Sequence, residues 1–210
     1  VAIALGAIAF AVAQGARSAP PAALPAAPAN AAVIFHAAPP AALAATPDPK
    51  SPLGPSVPVH LVIPAIDVDT TLMRLGLLKD GSLEVPPDGF PAGWFDGAPT
   101  PGELGPAVIA GHVDYTSGPA VFYDLHRLKK GDLVDVTRAD GSTVQFTVTK
   151  VGQYPKNEFP TEAVYGPIGH AGLRLITCGG SWDASVHHYR DNVVVFATIV
   201  TSTPAELPVP

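Results

Sequence analysis

The chain has 210 residues, 25 of them proline and 20 glycine; only 14% are charged and the formal net charge is −6. An acidic chain without a lysine and arginine cluster lacks the electrostatic footprint of a nucleic-acid binder. Its one cysteine excludes an intrachain disulfide framework and any structural zinc site built on two or more thiolates.

Residues 1–13 (VAIALGAIAFAVA) are apolar and uncharged, yet shorter than the roughly 20 residues that span a bilayer. Two readings stand: part of a membrane anchor, or the hydrophobic region of a signal peptide, for which Ala11-Val12-Ala13 offers a small-residue cleavage site. Either exports the rest of the chain, to the extracellular face of the cell membrane or, after cleavage, as a secreted protein. Residues 14–58 are Ala/Pro-rich and hold too few large apolar side chains for a core. Such sequence favours extended polyproline conformations at about 3.1 Å per residue, so a disordered linker on the order of 100 Å long is expected. Residues 59–200 carry the whole net charge, with 10 basic and 16 acidic side chains, and are long enough for one well-buried domain. Residues 201–210 read as a C-terminal tail.

Within the domain, short β-branched runs alternate with Gly, Pro and Asp. Residues 61–64 and 66–68 read as a strand pair or one bent strand, and Lys79-Asp80-Gly81-Ser82 as a turn before a strand at 83–85. Residues 107–110 form a short apolar strand. Ala139-Asp140-Gly141 joins strands at 133–138 and 142–150, where Asp-Gly is a strong hairpin signal. There Val134/Val136 and Val144/Phe146/Val148 alternate with polar residues, as one buried face requires. Residues 173–177 and 193–200 supply the last strands. Helical spacing is confined to 121–128 and to one turn at 161–164. The predicted class is mostly all-β, a closed barrel or a sandwich, with one or two short helices.

Three residues are candidates for chemistry. Cys178 follows the 173–177 run and precedes Gly179-Gly180, so it is expected where a strand ends and the backbone admits a ligand closely. A single cysteine is often a small buried hydrophobe, but an exported, unpaired thiol is open to oxidation and calls for a use. His112 follows the 107–110 strand in the same manner, and Asp114 either orients its imidazole or starts the next turn. Arg190 stands just before the final strand, a position that suits a solvated turn equally well. As a set they are coherent: a thiolate needs a proton partner and a cationic neighbour, and a tetrahedral acyl intermediate needs a donor for its oxyanion. Trp182 and Tyr189 lie between Cys178 and Arg190 and either wall a peptide groove or pack in the core. Adjacent His187 and His188 point to opposite faces of an extended chain, so no metal site is expected.

Leu175-Ile176-Thr177-Cys178 matches the L-x-T-C motif of sortases, 66 residues after His112 and 12 before Arg190. The resemblance covers residues 59–200. Gly-His-Val-Asp at 111–114, Thr-Cys-Gly-Gly at 177–180 and His-Tyr-Arg-Asp-Asn at 188–192 look like class F sortases of Gram-positive actinobacteria. The Thr that precedes Leu in the commoner T-L-x-T-C pattern is Arg174 here, a departure that argues against class A.

That resemblance implies a closed eight-stranded sortase-type β-barrel and a membrane-anchored cysteine transpeptidase that cleaves the Thr–Gly bond of an LPxTG-like sorting signal. It implies Cys178 as the nucleophile that forms a thioacyl enzyme, His112 as acid and then base, and Arg190 as substrate binder and oxyanion donor, with Thr177 in support. The acceptor is expected to be a cell-wall peptide amine or a pilin lysine. No cofactor and no nucleic-acid partner is expected, and the protein is expected to be a monomer. Two other classes stay open. One is another exported cysteine hydrolase or an L,D-transpeptidase-like wall enzyme, although the Ser-x-Gly-Cys setting of the latter is absent. The other is a non-catalytic surface β-domain with an inert Cys178.

Overall fold

In the computed structural model, residues 52–185 and 187–203 are described. The apolar segment 1–13, the linker as far as residue 51 and the tail from residue 204 lie outside the described residues. The strands in chain order are β1 (Pro58–Ile63), β2 (Val68–Leu75), β3 (Ala92–Phe95), β4 (Gly105–Ala110), β5 (Asp114–Tyr115), β6 (Gly118–Pro119), β7 (Leu133–Arg138), β8 (Thr143–Pro155), β9 (Ala171–Asp183) and β10 (His188–Thr203). One helix, α1 (Thr161–Tyr165), and three single 3₁₀ turns complete the described elements.

Local chemistry explains the tightest turns. In both Asp80-Gly81-Ser82 and Asp140-Gly141-Ser142 the Asp carboxylate accepts the backbone N–H and the hydroxyl of the Ser two residues on, at 2.6–3.0 Å. The intervening Gly81 and Gly141 sit at φ +84° and +81°, where a side chain would be strained. The second of these turns closes the expected β7–β8 hairpin.

Eight strands close into a barrel in the order β1-β2-β3-β4-β9-β10-β8-β7, while β5 and β6 form a separate two-stranded ribbon. Pairing is parallel at β2–β3 and β4–β9 and antiparallel elsewhere. The mostly-β class and the closed eight-stranded barrel are therefore found as expected. Period-two alternation fills the interior with Leu61, Ile63, Ile109, Val134, Val136, Phe146, Leu173, Leu175, Val193 and Val195. Each such side chain contributes roughly 1.5–3 kcal/mol when fully buried.

Several elements depart from the sequence reading. Of the two readings of 61–68 the strand pair holds, as β1 and β2 around a 3₁₀ turn at Pro64–Ile66, but the second strand starts only at Val68 and runs to Leu75. The strand expected at 83–85 shrinks to one bridge between Leu77 and Leu83. Conversely, β3 escapes a propensity reading because Pro91 immediately precedes it and Gly93 lies within it. Tertiary packing sets it: a Cβ on Gly93 would collide with Leu75 of the parallel neighbour β2. The expected helix at 121–128 reduces to a 3₁₀ turn at Leu125–Arg127, though Val121, Phe122, Leu125 and Leu128 all join the interior core. Their spacing reported burial rather than helix. Residues 53–57, within the expected linker, are fastened to the barrel: Leu53 N–H donates to Gly102 O (2.8 Å), Arg138 Nη2 to Gly54 O (2.5 Å) and Ala139 N–H to Val57 O (2.7 Å). Among the described residues no helix is long and apolar enough to cross a membrane.

Candidate active site

Alternation along three neighbouring strands decides which side chains share a face. On β9, Leu173 and Leu175 turn inward, Ile176 joins an outer cluster with Val108, Val164 and Val194, and Cys178 packs on the outer group of Leu75, Leu83 and Ala110. Pairing of β4 with β9 sets Ala110 beside Ile176, and the Gly111 N–H bond to Ile176 O (3.1 Å) carries that ladder one step further. Two residues further along each chain, His112 just past β4 and Cys178 on β9 therefore come to the same register. On the opposite side, β10 sets Asn192 directly across from Cys178. Such antiparallel partners hold their Cβ atoms about 4.5–5.5 Å apart.

His112 is half-buried, and its Nε2 lies 2.8 Å from the Pro86 carbonyl oxygen. A carbonyl can only accept, so this contact keeps the proton on Nε2 and leaves Nδ1 as the basic nitrogen. The ring also leans on Tyr115 at 5.6 Å between centroids, and the Tyr115 hydroxyl donates to Pro87 O (2.8 Å). The Pro86-Pro87 segment, which a reading of catalytic residue types passes over, is thus the imidazole's orienting frame.

Cys178 is half-buried, and burial pushes its thiol above the usual range. Lys156 approaches the sulfur and pulls in the other direction, while Asp114 adds to the rise. Sequence reasoning places Cys178 at a strand end. The structure corrects this: residues 179–183 continue β9, and its pairing with β10 shifts register between Tyr189 and Asp191. Gly180 takes φ +74° at this irregularity, and a Cβ there would strike the Asp191 carboxylate. Arg190 likewise lies inside β10 rather than in a turn before it.

Beside the thiol opens a cleft of about 350 Å³ lined by Thr177, Cys178, Gly179, Gly180, Tyr189 and Val193 and also by Tyr123 and His126. Of the other expected residues, Thr177 is buried with its hydroxyl unpartnered. Asp114 accepts the Tyr189 O–H, so its carboxylate is committed to Tyr189 rather than to the imidazole. Burial, then that carboxylate, pushes the Tyr189 phenol up to about 12, which keeps it a donor. Trp182 stacks edge-on against Tyr189 at 5.3 Å and stays 48% exposed. It belongs to the surface rather than the core. Arg190 is exposed and ion-paired with Asp183 at 3.0 Å. Asp183 is held ready by Ser185, whose N–H and hydroxyl both donate to its other oxygen, and these bonds hold the carboxyl below its usual range.

Two groups at the site were missed from sequence. Lys156 follows β8 in a 3₁₀ turn, and its Nζ is buried without a hydrogen-bond partner of ordinary geometry. Asn192 is 1% exposed, with both amide atoms unpartnered. Neither residue type at these positions carries a local signal: strand register sets Asn192 opposite Cys178, and Lys156 stands just past the end of β8, beside β10. Arg174, where the commoner motif has Thr, is buried under Phe196 at 4.8 Å and donates to Leu173 O (3.1 Å) and Ala163 O (3.4 Å). It pins the α1 segment to the outside of the barrel. Among the described residues no three His, Cys, Asp or Glu side chains gather as a metal site.

The closed eight-stranded barrel thus carries a thiol on β9 and, at the matching register just past the neighbouring β4, an imidazole. A sortase domain model matches residues 61–200. The chain belongs to the sortase family, a family of cysteine transpeptidases. Among solved structures it is similar to sortase C-1 of Actinomyces oris, at 20% identity and TM-score 0.52 over 68% of this chain and 73% of that one. Sortase C of Streptococcus pneumoniae matches at 21% identity and TM-score 0.53, over 71% of this chain and 69% of that one. Sortase A of Corynebacterium diphtheriae matches at 20% identity and TM-score 0.54, over 73% and 65%. No curated protein sequence matches significantly.

Proposed function

We propose that this protein is a class F sortase that cleaves the Thr–Gly bond of an LPxTG-like sorting signal and passes the acyl group to a cell-wall peptide amine or a pilin lysine. The observation that carries this reading is the Cys178 thiol at the edge of the cleft, level with an imidazole whose Nδ1 is left basic. The Cys178 proton passes to His112 Nδ1, and the thiolate attacks the Thr carbonyl carbon. Collapse of the tetrahedral intermediate breaks the C–N bond, and His112 returns the proton to the departing Gly amine. An incoming amine then attacks the thioester with His112 as base, and the thiol is regenerated. Thr177 and Asn192 offer otherwise unpartnered donors near the reacting carbonyl, and Arg190 leaves Asp183 to meet the oxyanion. Outer-face aromatics Phe95, Phe159 and Tyr165 give an apolar bed suited to the Leu-Pro end of such a signal. The pneumococcal relative is described in terms of pilin substrate specificity, which agrees with a pilin amine as acceptor. In this reading the N-terminal segment holds the enzyme at the extracellular face of the membrane, and the Pro-rich linker lets it reach the wall.

The test is intact-mass analysis of the full chain mixed with an LPxTG peptide. The expected product is a thioacyl adduct of the LPxT fragment on Cys178, absent in Cys178→Ala and discharged by an added amine. A folded wild-type protein that forms no adduct with a panel of such peptides refutes the assignment.

A further inference from the structure

The expected partner of the thiol is Arg190, but that guanidinium is exposed and tied to Asp183. A different cation stands inside. Pairing of β8 with β10 ends with Pro155 opposite Asp191, so Lys156, the next residue, comes level with Arg190 on the neighbouring strand. Two cations cannot share one small space cheaply. Lys156 takes the inner place, its Nζ buried, and Arg190 turns outward to the carboxylate that Ser185 holds for it.

A buried ammonium without a hydrogen-bond partner costs several kcal/mol unless a charge balances it. No carboxylate pairs with Lys156 among the described ion pairs. The group it acts on is the Cys178 sulfur, which is neutral at rest and negative once ionised. The charged and titratable groups around that sulfur are Lys156 after β8, Asp114 on β5, Tyr189 on β10, and Tyr123 and His126, which line the same cleft; His112 comes to the register of Cys178 just past β4, and Arg190 on β10 is turned away to Asp183. Asp114 already accepts a bond from Tyr189, which leaves Lys156 as the positive charge directed at the sulfur.

We propose that Lys156 is a catalytic residue: its ammonium faces the Cys178 sulfur and supplies the positive charge against which the thiolate forms, leaving Arg190 free for the substrate's oxyanion. The proton still goes from sulfur to His112 Nδ1, and Lys156 stabilises the anion it meets. This rests on Cys178 being the nucleophile. It adds that two cations divide the work, one for the thiolate and one for the acyl oxygen.

The experiment is the pH profile of Cys178 alkylation by iodoacetamide, measured by intact mass on the full chain. This reads thiol ionisation directly and needs no sorting signal, so its failure is separate from failure of the transpeptidase assignment. Lys156→Met should move the inflection to higher pH and slow alkylation at pH 7 by about tenfold, the effect of one unit. Charge sets the sign: removing a cation disfavours the thiolate, so more base is needed to form it. Lys156→Arg should restore most of the rate. A Lys156→Met profile that superimposes on wild type overturns the proposal. So does a Lys156→Arg protein as slow as Lys156→Met, because the lysine then acts through its packing. If Lys156→Met does not fold, Lys156→Gln is read in the same way.

Discussion

The two halves of β9 differ sharply although they are one strand. In residues 171–176 every side chain is buried, and Leu173, Leu175 and Ile176 meet apolar partners on both faces. From Cys178 on, burial gives way to exposure, and buried polar groups nearby are unmatched: the Thr177 hydroxyl, both amide atoms of Asn192 and the Lys156 Nζ. Elsewhere in the barrel Trp94 finds the Pro99 carbonyl (3.1 Å) and the Thr100 hydroxyl finds the Glu103 carboxylate (2.6 Å), although Arg138, bonded through Nη2 to Gly54 O, leaves its Nε unmatched. A buried polar group left without a partner costs about 1–3 kcal/mol. The first half of β9 therefore builds stability and the second half gives some of it up. Unmatched donors held beside a nucleophile are what a passing carbonyl oxygen needs.

If the halves are separable, injury to the first should leave the second intact. Phe146→Ala opens a cavity in the interior, where Phe146 is 0% exposed, and should cost about 3–5 kcal/mol in urea unfolding. The folded fraction should still alkylate at Cys178 at the wild-type rate. A thiol whose reactivity falls along with stability would mean that the core tunes the site. The reverse injury is Arg190→Lys. Its ion pair with Asp183 is exposed, and such pairs contribute about 0–1 kcal/mol, so the melting temperature should hardly move. Under the proposed mechanism, turnover of an LPxTG peptide should fall by roughly 10²-fold, because a point ammonium would replace the fork proposed to meet the oxyanion. Unchanged turnover removes that role from Arg190.

This contrast also explains what the sequence made legible. The first half of β9 reads plainly, since an apolar run bounded by Gly signals a buried strand, and the Asp-Gly hairpin fixes β7 and β8. Cys178 and His112 stand out because their chemistry and local setting are distinctive. Lys156 and Asn192 do not, because a lysine after Pro155 and an asparagine before Val193 look like solvated turns until register is known. Asp114 misleads for the same reason. Proximity in sequence suggested His112 as its partner, whereas a residue 75 positions away, Tyr189, takes its carboxylate. β3 stays hidden because its Gly93 weakens strand propensity in order to fit against Leu75. Tertiary contact overrides local preference there.

Asn192 offers the finest test of the contrast. Its amide is buried, lies opposite Cys178 and has no partner for either atom. Leucine has the same number and branching of side-chain heavy atoms and nothing to satisfy. Asn192→Leu should therefore raise stability by about 1 kcal/mol, the low end of the penalty for an unmatched buried group. The same change should lower turnover, because one donor near the acyl oxygen is gone. Urea midpoint and peptide turnover, measured on one preparation, should move in opposite directions. If both fall together, the amide is part of the fold rather than of the site. If stability rises and turnover holds, the oxyanion is met by Arg190 and Thr177 without it.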